Sequence, residues 1–325
     1  MAELSYREAV TAAIAQEMRR DDKVVFIGED VAAPGGVFKT TVGLQEEFGD
    51  LRVRDCPIAE QAILGAVAGA AMTGLRPIAE IMFSDFFAVC WDIVVNQIAK
   101  TRFMTDGQCS FPLVIRSANG GGSRFGAQHS QSVENWAMAV PGLKVVAPSS
   151  PADVKGLLAA AIQDPDPVLF FEQKSLYGTK GDVPEGDHVD QLGKAKVLRE
   201  GSDVTIIALA AMVRHAMKAA DALEKDHGIS AEVVDVRSLV PLDTTTIFES
   251  VSKTSRLVTV EENPRLCGWG AEISSLVSEE LFWDLDGPIV RVTTPHIPLP
   301  SADALEDFVL PSAQKVIDAV TKLAD

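Results

Sequence analysis

Short apolar runs alternate with amphipathic segments along the first half of the chain. We predict strands at residues 23–27, 77–83, 112–116, 143–147 and 168–171, and helices at 4–20, 40–48, 60–72, 84–100 and 151–162. Ser5 and Glu8 have the spacing of a capping box at the start of the first helix. Strands that alternate with helices are typical of a parallel α/β sheet.

The alternation stops between residues 173 and 202, where the chain is polar, contains Gly and Pro, and lacks a long apolar run. It then resumes, and we predict strands at 204–209, 231–236, 256–260 and 289–292, with helices at 211–225, 243–252 and 270–282. The break is typical of a linker between domains. We therefore predict two α/β domains, at residues 1–180 and 203–325, joined by a linker at 181–202.

Residues 62–72 contain only apolar side chains and glycine, and Glu60 stands just before them. A helix without a polar face is expected to be buried on all sides, and this one is shorter than the ~20 apolar residues of a membrane span. Glu60 would then lie beside a dry interior, where burial favours the protonated carboxyl. The helix dipole also favours an acid in the first turn, by about 0.3–1 kcal/mol. The pattern is thus compatible with a helix cap and with a catalytic acid.

Composition narrows the class of protein. The chain has 325 residues, of which 47% are hydrophobic and 23% charged, and this fits a globular protein of about two domains. Its net charge of −17 argues against a nucleic-acid partner. The four cysteines form no Cys-x-x-Cys pair, so neither a zinc ribbon nor a redox motif is indicated. The N-terminal residues resemble neither a signal nor a transit peptide, and we expect a cytoplasmic protein without a membrane partner.

A Gly-rich segment at 119–126 follows the predicted strand 112–116. It matches neither Gly-x-Gly-x-x-Gly nor the phosphate-loop pattern, so a nicotinamide-binding fold is not indicated. Its position is compatible with a mobile active-site loop at the end of a strand and with a plain connector. His129 follows it, among Gln128, Ser130 and Gln131. A histidine there can exchange protons near neutral pH, and a hydrogen-bonded structural histidine has the same pattern.

Two other groups of residues each have an ordinary and a functional interpretation. Phe83 ends the strand 77–83, and Phe86 and Phe87 follow it, so that the three rings can pack in the core or offer a platform to a flat heterocycle. Asp164 and Asp166 lie in a Pro-spaced turn, in which Asp is common, and they could also contribute to a cation site.

Several ordered segments together resemble a known family. They are Cys-Pro-Ile-Ala-Glu-Gln at 56–61, Ala-Glu-Ile-Met-Phe-Ser-Asp-Phe at 79–86, Gln-His-Ser-Gln-Ser at 128–132, Pro-Gly-Leu-Lys-Val-Val-Ala-Pro at 141–148, Gly-Ser-Asp-Val-Thr at 201–205 and Asp-Val-Arg-Ser-Leu-Val-Pro at 235–241. The chain resembles, over nearly its whole length, the β subunits of thiamin-diphosphate-dependent 2-oxo acid dehydrogenases. The order of the segments is more specific than any one of them.

The resemblance implies a pyrimidine-binding domain followed by a transketolase-type C-terminal domain. In that family the acid that matches Glu60 hydrogen-bonds the aminopyrimidine of thiamin diphosphate and promotes the imino tautomer, which removes the thiazolium C2 proton. The residue that matches Phe86 packs on the pyrimidine, and those that match Ile58 and Met82 line the same pocket. Met82 departs from the Gln of some relatives. The residue that matches His129 handles the acyl group and its transfer to lipoamide.

The resemblance also implies a potassium site built partly from backbone carbonyls. The matching residues here are Leu113, Ala161, Ile162, Asp164 and Asp166. Asp166 replaces an Asn found in relatives.

One absence from the sequence is informative. Thiamin enzymes hold magnesium and the diphosphate with a Gly-Asp-Gly segment followed by an Asn, and this sequence contains no such segment. The resemblance therefore implies a separate α subunit that holds both, an α₂β₂ heterotetramer, and contact with a lipoyl acyltransferase core. The implied activity is oxidative decarboxylation of pyruvate or a branched-chain 2-oxo acid with acyl transfer to lipoamide. An acetoin dehydrogenase β subunit and a non-catalytic scaffold remain the alternatives.

Overall fold

The computed structural model describes residues 1–324 and divides them into two compact units. The first unit comprises Met1–Asn119 and Trp136–Leu192, and the second comprises Gly120–Asn135 and the chain from Gly193 onward. The division after Leu192 falls inside the predicted linker. Residues 120–135 belong to the second unit, although the sequence pattern assigns them to the first domain.

The first unit is an α/β unit. Its strands are β1 (Ala2–Ser5), β2 (Val24–Gly28), β3 (Val53–Asp55), β4 (Arg76–Phe83), β5 (Val114–Asn119), β6 (Lys144–Val146), β7 (Val168–Gln173) and β8 (Lys180–Val183). Its helices are α1 (Tyr6–Arg20), α2 (Leu44–Phe48), α3 (Glu60–Met72), α4 (Phe87–Asp92), α5 (Thr101–Met104) and α7 (Pro151–Gln163), and α6 (Glu134–Met138) contains the passage from one unit to the other. A π-helical turn at Ile93–Ile98 follows α4.

Within this unit the strands lie in the order β6-β7-β5-β4-β2-β3, and all neighbours are parallel. The central strands β5 and β7 are buried at every position, so the polar residues they contain, Arg116 and Glu172 among them, are shielded from water together with the apolar ones. The predicted capping box is present, because Ser5 accepts a hydrogen bond from the Glu8 backbone and Glu8 accepts one from the Ser5 backbone. The predicted parallel sheet is confirmed.

The second unit is also α/β. Its strands are β9 (Lys196–Arg199), β10 (Val204–Ala208), β11 (Ala231–Asp235), β12 (Ser238–Val240), β13 (Leu257–Pro264) and β14 (Val290–Thr294), and its helices are α8 (Met212–Ala222), α9 (Thr244–Thr254), α10 (Trp269–Glu280), α11 (Asp303–Val309) and α12 (Ala313–Ala324). The sheet order is β14-β13-β10-β11-β9, with only β9 antiparallel to its neighbour.

Two expectations need correction. The polar stretch 173–202 is not a plain linker, because β8 pairs with β1 and β9 pairs with β11. Helix α3 is not buried on all sides in this chain, since one face, including Gln61, Ala66 and Met72, is exposed. The apolar pattern of α3 therefore gives this chain an exposed apolar face.

None of the helices described for residues 1–324 has the length and apolar character needed to cross a bilayer.

A buried ion network crosses the middle of the first sheet. Arg116 on β5 is 2% exposed and donates two hydrogen bonds to Glu172 on β7, at 2.8 and 2.7 Å, and a further one to Glu80 on β4. The Tyr177 hydroxyl donates to Glu172 at 2.9 Å. Arg116 also lies over the ring of Phe26 on β2, 5.6 Å from its centroid. One cation thus holds carboxylates from the strands on both sides of β5.

Replacing Arg116 with methionine is expected to lower the free energy of unfolding by about 3–5 kcal/mol, because two carboxylates would remain buried without their cation. The free energy of unfolding is measured by equilibrium urea unfolding of the purified protein, in the assembly that it forms. Arg199→Met is the control, since Arg199 also pairs with two acids, Asp221 and Glu224, but these are exposed. Its expected cost is below about 1 kcal/mol. Equal costs for the two variants would contradict the importance of the buried network.

Candidate active site

The candidate site lies at the carboxyl ends of the strands in the first sheet. Strand β2 has β3 on one side and β4 on the other, so the chain changes direction across the sheet at this point. In parallel α/β sheets, ligands bind outside the carboxyl ends of the strands at such a switch point. Glu29 directly follows β2, Glu60 begins the helix after β3, and Phe86 closes the short turn after β4.

Glu60 lies in the first turn of α3 and is 8% exposed. Its neighbour in space is a second acid, Glu29, which is also buried and accepts a hydrogen bond from the backbone N–H of Ala59. Burial raises the pKa of Glu29, and the negative charge of Glu60 raises it further. The site therefore contains two buried acids, and the pKa of Glu29 is raised by its burial and by the charge of Glu60.

Cys90 on α4 is a buried thiol on which the charge of Glu60 acts. Its thiol lies 3.6 Å from the backbone oxygen of Phe86, to which it can donate. Burial, with a smaller contribution from the Glu60 charge, raises the pKa of the Cys90 thiol to about 12. The thiol is therefore neutral near pH 7 and is not a nucleophile. The backbone departs from helical geometry at Cys90, just before the π-helical turn, and such irregular turns are frequent at functional sites.

Met82 lies near the carboxyl end of β4, and Phe86 lies in the short turn that follows this strand. Both are half-buried. Met82 is the extra residue of a β-bulge, because Ile81 pairs with Ser117 while Phe83 pairs with the next residue of β5. Bulges re-aim side chains near active sites. The Phe86 ring meets the Phe83 ring edge-to-face, with centroids 5.4 Å apart. Phe86 thus has a fixed aromatic support while one part of its ring stays accessible.

Ile58 is placed differently from the other predicted pocket residues. It is 82% exposed, so this chain does not enclose it. Together with the exposed face of α3, it extends an apolar surface next to Glu60. The structure therefore brings Glu60, Met82 and Phe86 to one end of the first sheet and leaves Ile58 on its open side.

His129 belongs to the second unit. It is half-buried, and its backbone N–H donates to the Gly126 carbonyl at 3.3 Å. The Gly-rich segment before it forms a loop. A hydrogen bond of 3.0 Å from the Gly120 N–H to the Gln131 carbonyl closes this loop. His129 is therefore presented by a loop that is tied at its base.

The residues of the predicted potassium site lie together around the C-terminal end of α7. The Leu113 carbonyl accepts a hydrogen bond from the Val168 N–H at 2.9 Å, and the Ala161 carbonyl accepts one from the Asp164 N–H at 3.3 Å. The Ile162 carbonyl accepts one from the Arg76 guanidinium at 3.1 Å. Each of these oxygens thus has a donor from within the chain.

The two carboxylates of that group are also paired. Lys144 lies 2.6 Å from both oxygens of Asp164 and 3.3 Å from Asp166, and Asp166 accepts a hydrogen bond from Arg102 as well. Among the described residues, no group of three or more His, Cys, Asp or Glu side chains has the arrangement to hold a metal ion. The potassium site stays a prediction, and any bound cation would compete with Lys144 and Arg102.

Glu29 is the site residue that the sequence analysis missed. It stands in Gly-Glu-Asp at the carboxyl end of a predicted strand, the same position that drew attention to Phe86. Applying the strand-end rule to every strand would have found it. Cys90 had no such signal, because it lies on a helix and comes under the influence of the Glu60 charge only in the folded chain.

Comparisons with known proteins agree along the whole chain. Residues 2–180 match the transketolase pyrimidine-binding domain, and residues 193–316 match the transketolase C-terminal domain. A split-gene transketolase, described as an inactive β4 tetramer, has a similar structure, with a TM-score of 0.81, 28% identity and 98% coverage of both chains.

Three relatives are nearly equally similar to the chain in sequence. The β subunit of the Bacillus subtilis acetoin:2,6-dichlorophenolindophenol oxidoreductase is 47% identical over 98% of this chain and 97% of its own length. The β subunit of the 2-oxoisovalerate dehydrogenase of the same organism is 46% identical over the full length of both chains. The pyruvate dehydrogenase E1 component subunit β of Rickettsia felis is 49% identical over 99% of this chain and 98% of its own.

The Glu29→Gln variant is expected to be more stable than the unmodified protein at neutral and alkaline pH. Because the folded state raises the pKa of Glu29, its stabilising contribution is complete below the ordinary carboxyl pKa and is lost as the pH rises through the higher folded-state pKa. Glutamine stays neutral throughout. Melting temperatures measured from about pH 4 upward should therefore diverge with rising pH.

Glu46→Gln is the matched control, because Glu46 is an exposed acid on α2. Its melting temperature should follow that of the unmodified protein at every pH. A Glu29→Gln curve that runs parallel to the unmodified one would contradict the shifted pKa of Glu29.

Proposed function

The chain belongs to the family of pyruvate, branched-chain 2-oxo acid and acetoin dehydrogenase β subunits, and from this premise we propose that it serves the decarboxylating component of a 2-oxo acid dehydrogenase complex. The proposed reaction is oxidative decarboxylation of pyruvate or a branched-chain 2-oxo acid, with transfer of the acyl group to lipoamide. The observation that carries the proposal is the buried acid Glu60, beside Glu29 and Phe86, at the switch point of the first sheet.

The residues at this site fit the aminopyrimidine half of thiamin diphosphate. A flat heterocycle needs an apolar platform and one group that exchanges a proton with a ring nitrogen, and Phe86 and Glu60 supply these two features. When bound, the cofactor supplies the carbon centre that takes up the electron pair left by carbon dioxide.

Glu60 would hydrogen-bond the pyrimidine ring and hold or return its proton. Its shielded position strengthens such a hydrogen bond, because little water competes for the carboxyl. Glu29, driven toward its protonated form, keeps the local charge low beside a Glu60 that must accept and release a proton. Met82 and Phe86 exclude water from the same end of the sheet.

The proposal includes a partner α subunit in an α₂β₂ heterotetramer. It is supported by the missing Gly-Asp-Gly segment, by the exposed Ile58, and by the apolar face of α3, which a second chain could cover. The relatives are named as β subunits, which also supports an α partner. The α subunit would hold magnesium and the diphosphate, and a lipoyl acyltransferase core would receive the acyl group.

Acetoin cleavage is the second candidate activity, since the acetoin relative is as similar to the chain as the two others. The overall sequence identities therefore do not indicate which of these substrates the chain acts on. A scaffold without catalysis is disfavoured because Glu60, Phe86 and His129 are all retained.

Glu60→Gln is expected to reduce turnover of the reconstituted α/β enzyme by at least about 100-fold, because the amide keeps the shape of the side chain and cannot exchange the proton. Initial rates of carbon dioxide release with saturating cofactor measure this, and gel filtration checks assembly. Glu279→Gln, at an exposed acid on α10, is the control. Near-normal turnover of Glu60→Gln would refute the role of Glu60.

A substrate panel with the matching α subunit is expected to show 2-oxo acid turnover at a kcat/KM at least about 100-fold above that for acetoin. The panel compares pyruvate, 3-methyl-2-oxobutanoate and acetoin and records carbon dioxide and acyl-lipoamide. Acetoin cleavage without carbon dioxide release would favour the second activity. An assembled heterotetramer that is inactive on all three substrates would contradict an enzymatic role.

A further inference from the structure

The loop that carries His129 is held by two buried acids of the second unit. This Gly-rich loop, residues 120–132, is closed at its base by the hydrogen bond from the Gly120 N–H to the Gln131 carbonyl. Both acids lie far away in sequence, Glu262 on β13 and Glu306 on α11. The sequence left open whether this loop is a mobile active-site loop or a plain connector, and these attachments restrict its motion.

Glu262 ties the two arms of the loop together. One of its carboxylate oxygens accepts hydrogen bonds from the Gly121 N–H and, at 2.9 Å, from the Ser132 hydroxyl. The next residue, Asn263, donates from its side chain to the Ser132 carbonyl at 2.9 Å. The arms before and after His129 are thus attached to the end of one strand.

Glu306 holds the turn before His129. It is 0% exposed, and one oxygen accepts from the Gly122 N–H at 3.0 Å while the other accepts from the Arg124 N–H at 3.2 Å and from the Arg124 guanidinium at 2.5 Å. Every one of these hydrogen bonds goes to the loop. Arg124 has a φ of +63°, which a residue with a side chain adopts only when its surroundings enforce it.

The loop packs closely against this part of the second unit. A Cβ added at Gly121 would lie 2.9 Å from the end of the Leu299 side chain, which would have to shift to make room. The Arg124 guanidinium reaches two exposed acids as well, Asp307 at 2.8 Å and Asp303 at 3.1 Å. These acids contact the arginine, whereas Glu306 also binds loop backbone.

We propose that Glu306 is a positioning residue for His129: its buried carboxylate clamps residues 122–124 and so sets the place of the histidine that follows. The effect on catalysis rests on the proposed function, together with the part in acyl transfer to lipoamide that the family resemblance implies for His129. The chemistry favours a carboxylate here, because two backbone N–H groups and a guanidinium converge on it and none of them can accept a hydrogen bond. Displacing a catalytic group by about 1 Å can slow a reaction by roughly 100-fold.

Hydrogen exchange tests the clamp without reference to activity. In the assembled protein, Glu306→Ala is expected to speed amide exchange of the loop peptide by about tenfold or more, because the turn loses its buried acceptor. Glu306→Gln should show a smaller increase, since its amide oxygen still accepts from backbone N–H groups, and it serves if the alanine variant does not fold. Asp307→Asn, on the same helix and in contact with the same arginine, should leave loop exchange unchanged.

A double-mutant cycle with His129→Ala tests whether Glu306 acts through the histidine. Glu306→Ala is expected to reduce the rate of lipoyl-domain acylation by roughly 10–100-fold with little change in the KM for the 2-oxo acid. In the His129→Ala background the same change should cost less than about twofold, because the residue it positions is gone. Turnover with an artificial electron acceptor should fall less than lipoyl acylation in both single variants.

The outcomes distinguish the hypothesis that Glu306 holds the loop from the hypothesis that it positions His129. Unchanged loop exchange in both Glu306 variants overturns the clamp, whatever the activity. Faster exchange with fully additive effects of Glu306→Ala and His129→Ala overturns positioning of His129, since Glu306 would then act independently. If His129→Ala alone leaves lipoyl acylation intact, the proposed role of His129 and its positioning both fall, while the exchange result still decides whether Glu306 holds the loop.

Discussion

The ion network around Arg116 is the interaction on which the first unit depends. An arginine at the centre of a sheet is tolerated only because two carboxylates from the neighbouring strands and an aromatic face surround it. The same bonds fix the positions of β4, β5 and β7 relative to one another. Gly28 lets β2 approach, because an added Cβ would lie 2.9 Å from the Cβ of Glu80. The strand ends that carry the candidate site are thus positioned by a buried charge.

The network also reaches the candidate site electrostatically. Glu80, which pairs with Arg116, is among the charges that raise the pKa of Glu29, after burial, Glu60 and Asp30. A proton on Glu29 therefore depends on the dryness of the strand ends and on the balance of charge in the sheet behind them. The acid pair is a consequence of how the sheet is built, and a carboxyl such as Glu60 could not be shielded in the same way on an exposed loop.

In the second unit, a histidine, His129, lies in a Gly-rich loop, a kind of sequence that is usually flexible. Glycines at 120–122 and 126 permit the backbone to turn sharply, which by itself would leave His129 without a defined place. Glu262 and Glu306 supply buried acceptors for the loop N–H groups. The loop thus combines glycine-dependent geometry with fixed attachments, which together give His129 a defined place.

The sequence by itself determined the alternation of strands and helices, the capping box at Ser5 and Glu8, the two α/β domains and the family, because each depends on neighbours in the chain or on ordered motifs. The place of Glu60 in the first turn of its helix, the strand-end place of Phe86 and the loop place of His129 were also readable. Tertiary structure alone decided which faces are covered: one side of α3 and Ile58 are exposed, although both are apolar. It also put Glu29 and Cys90 within the electrostatic influence of Glu60, joined residues 120–135 to the second unit, and paired Lys144 and Arg102 with the acids of the predicted potassium site. These outcomes depend on contacts between residues far apart in the chain, and burial, charge pairing and pKa follow from such contacts rather than from local pattern.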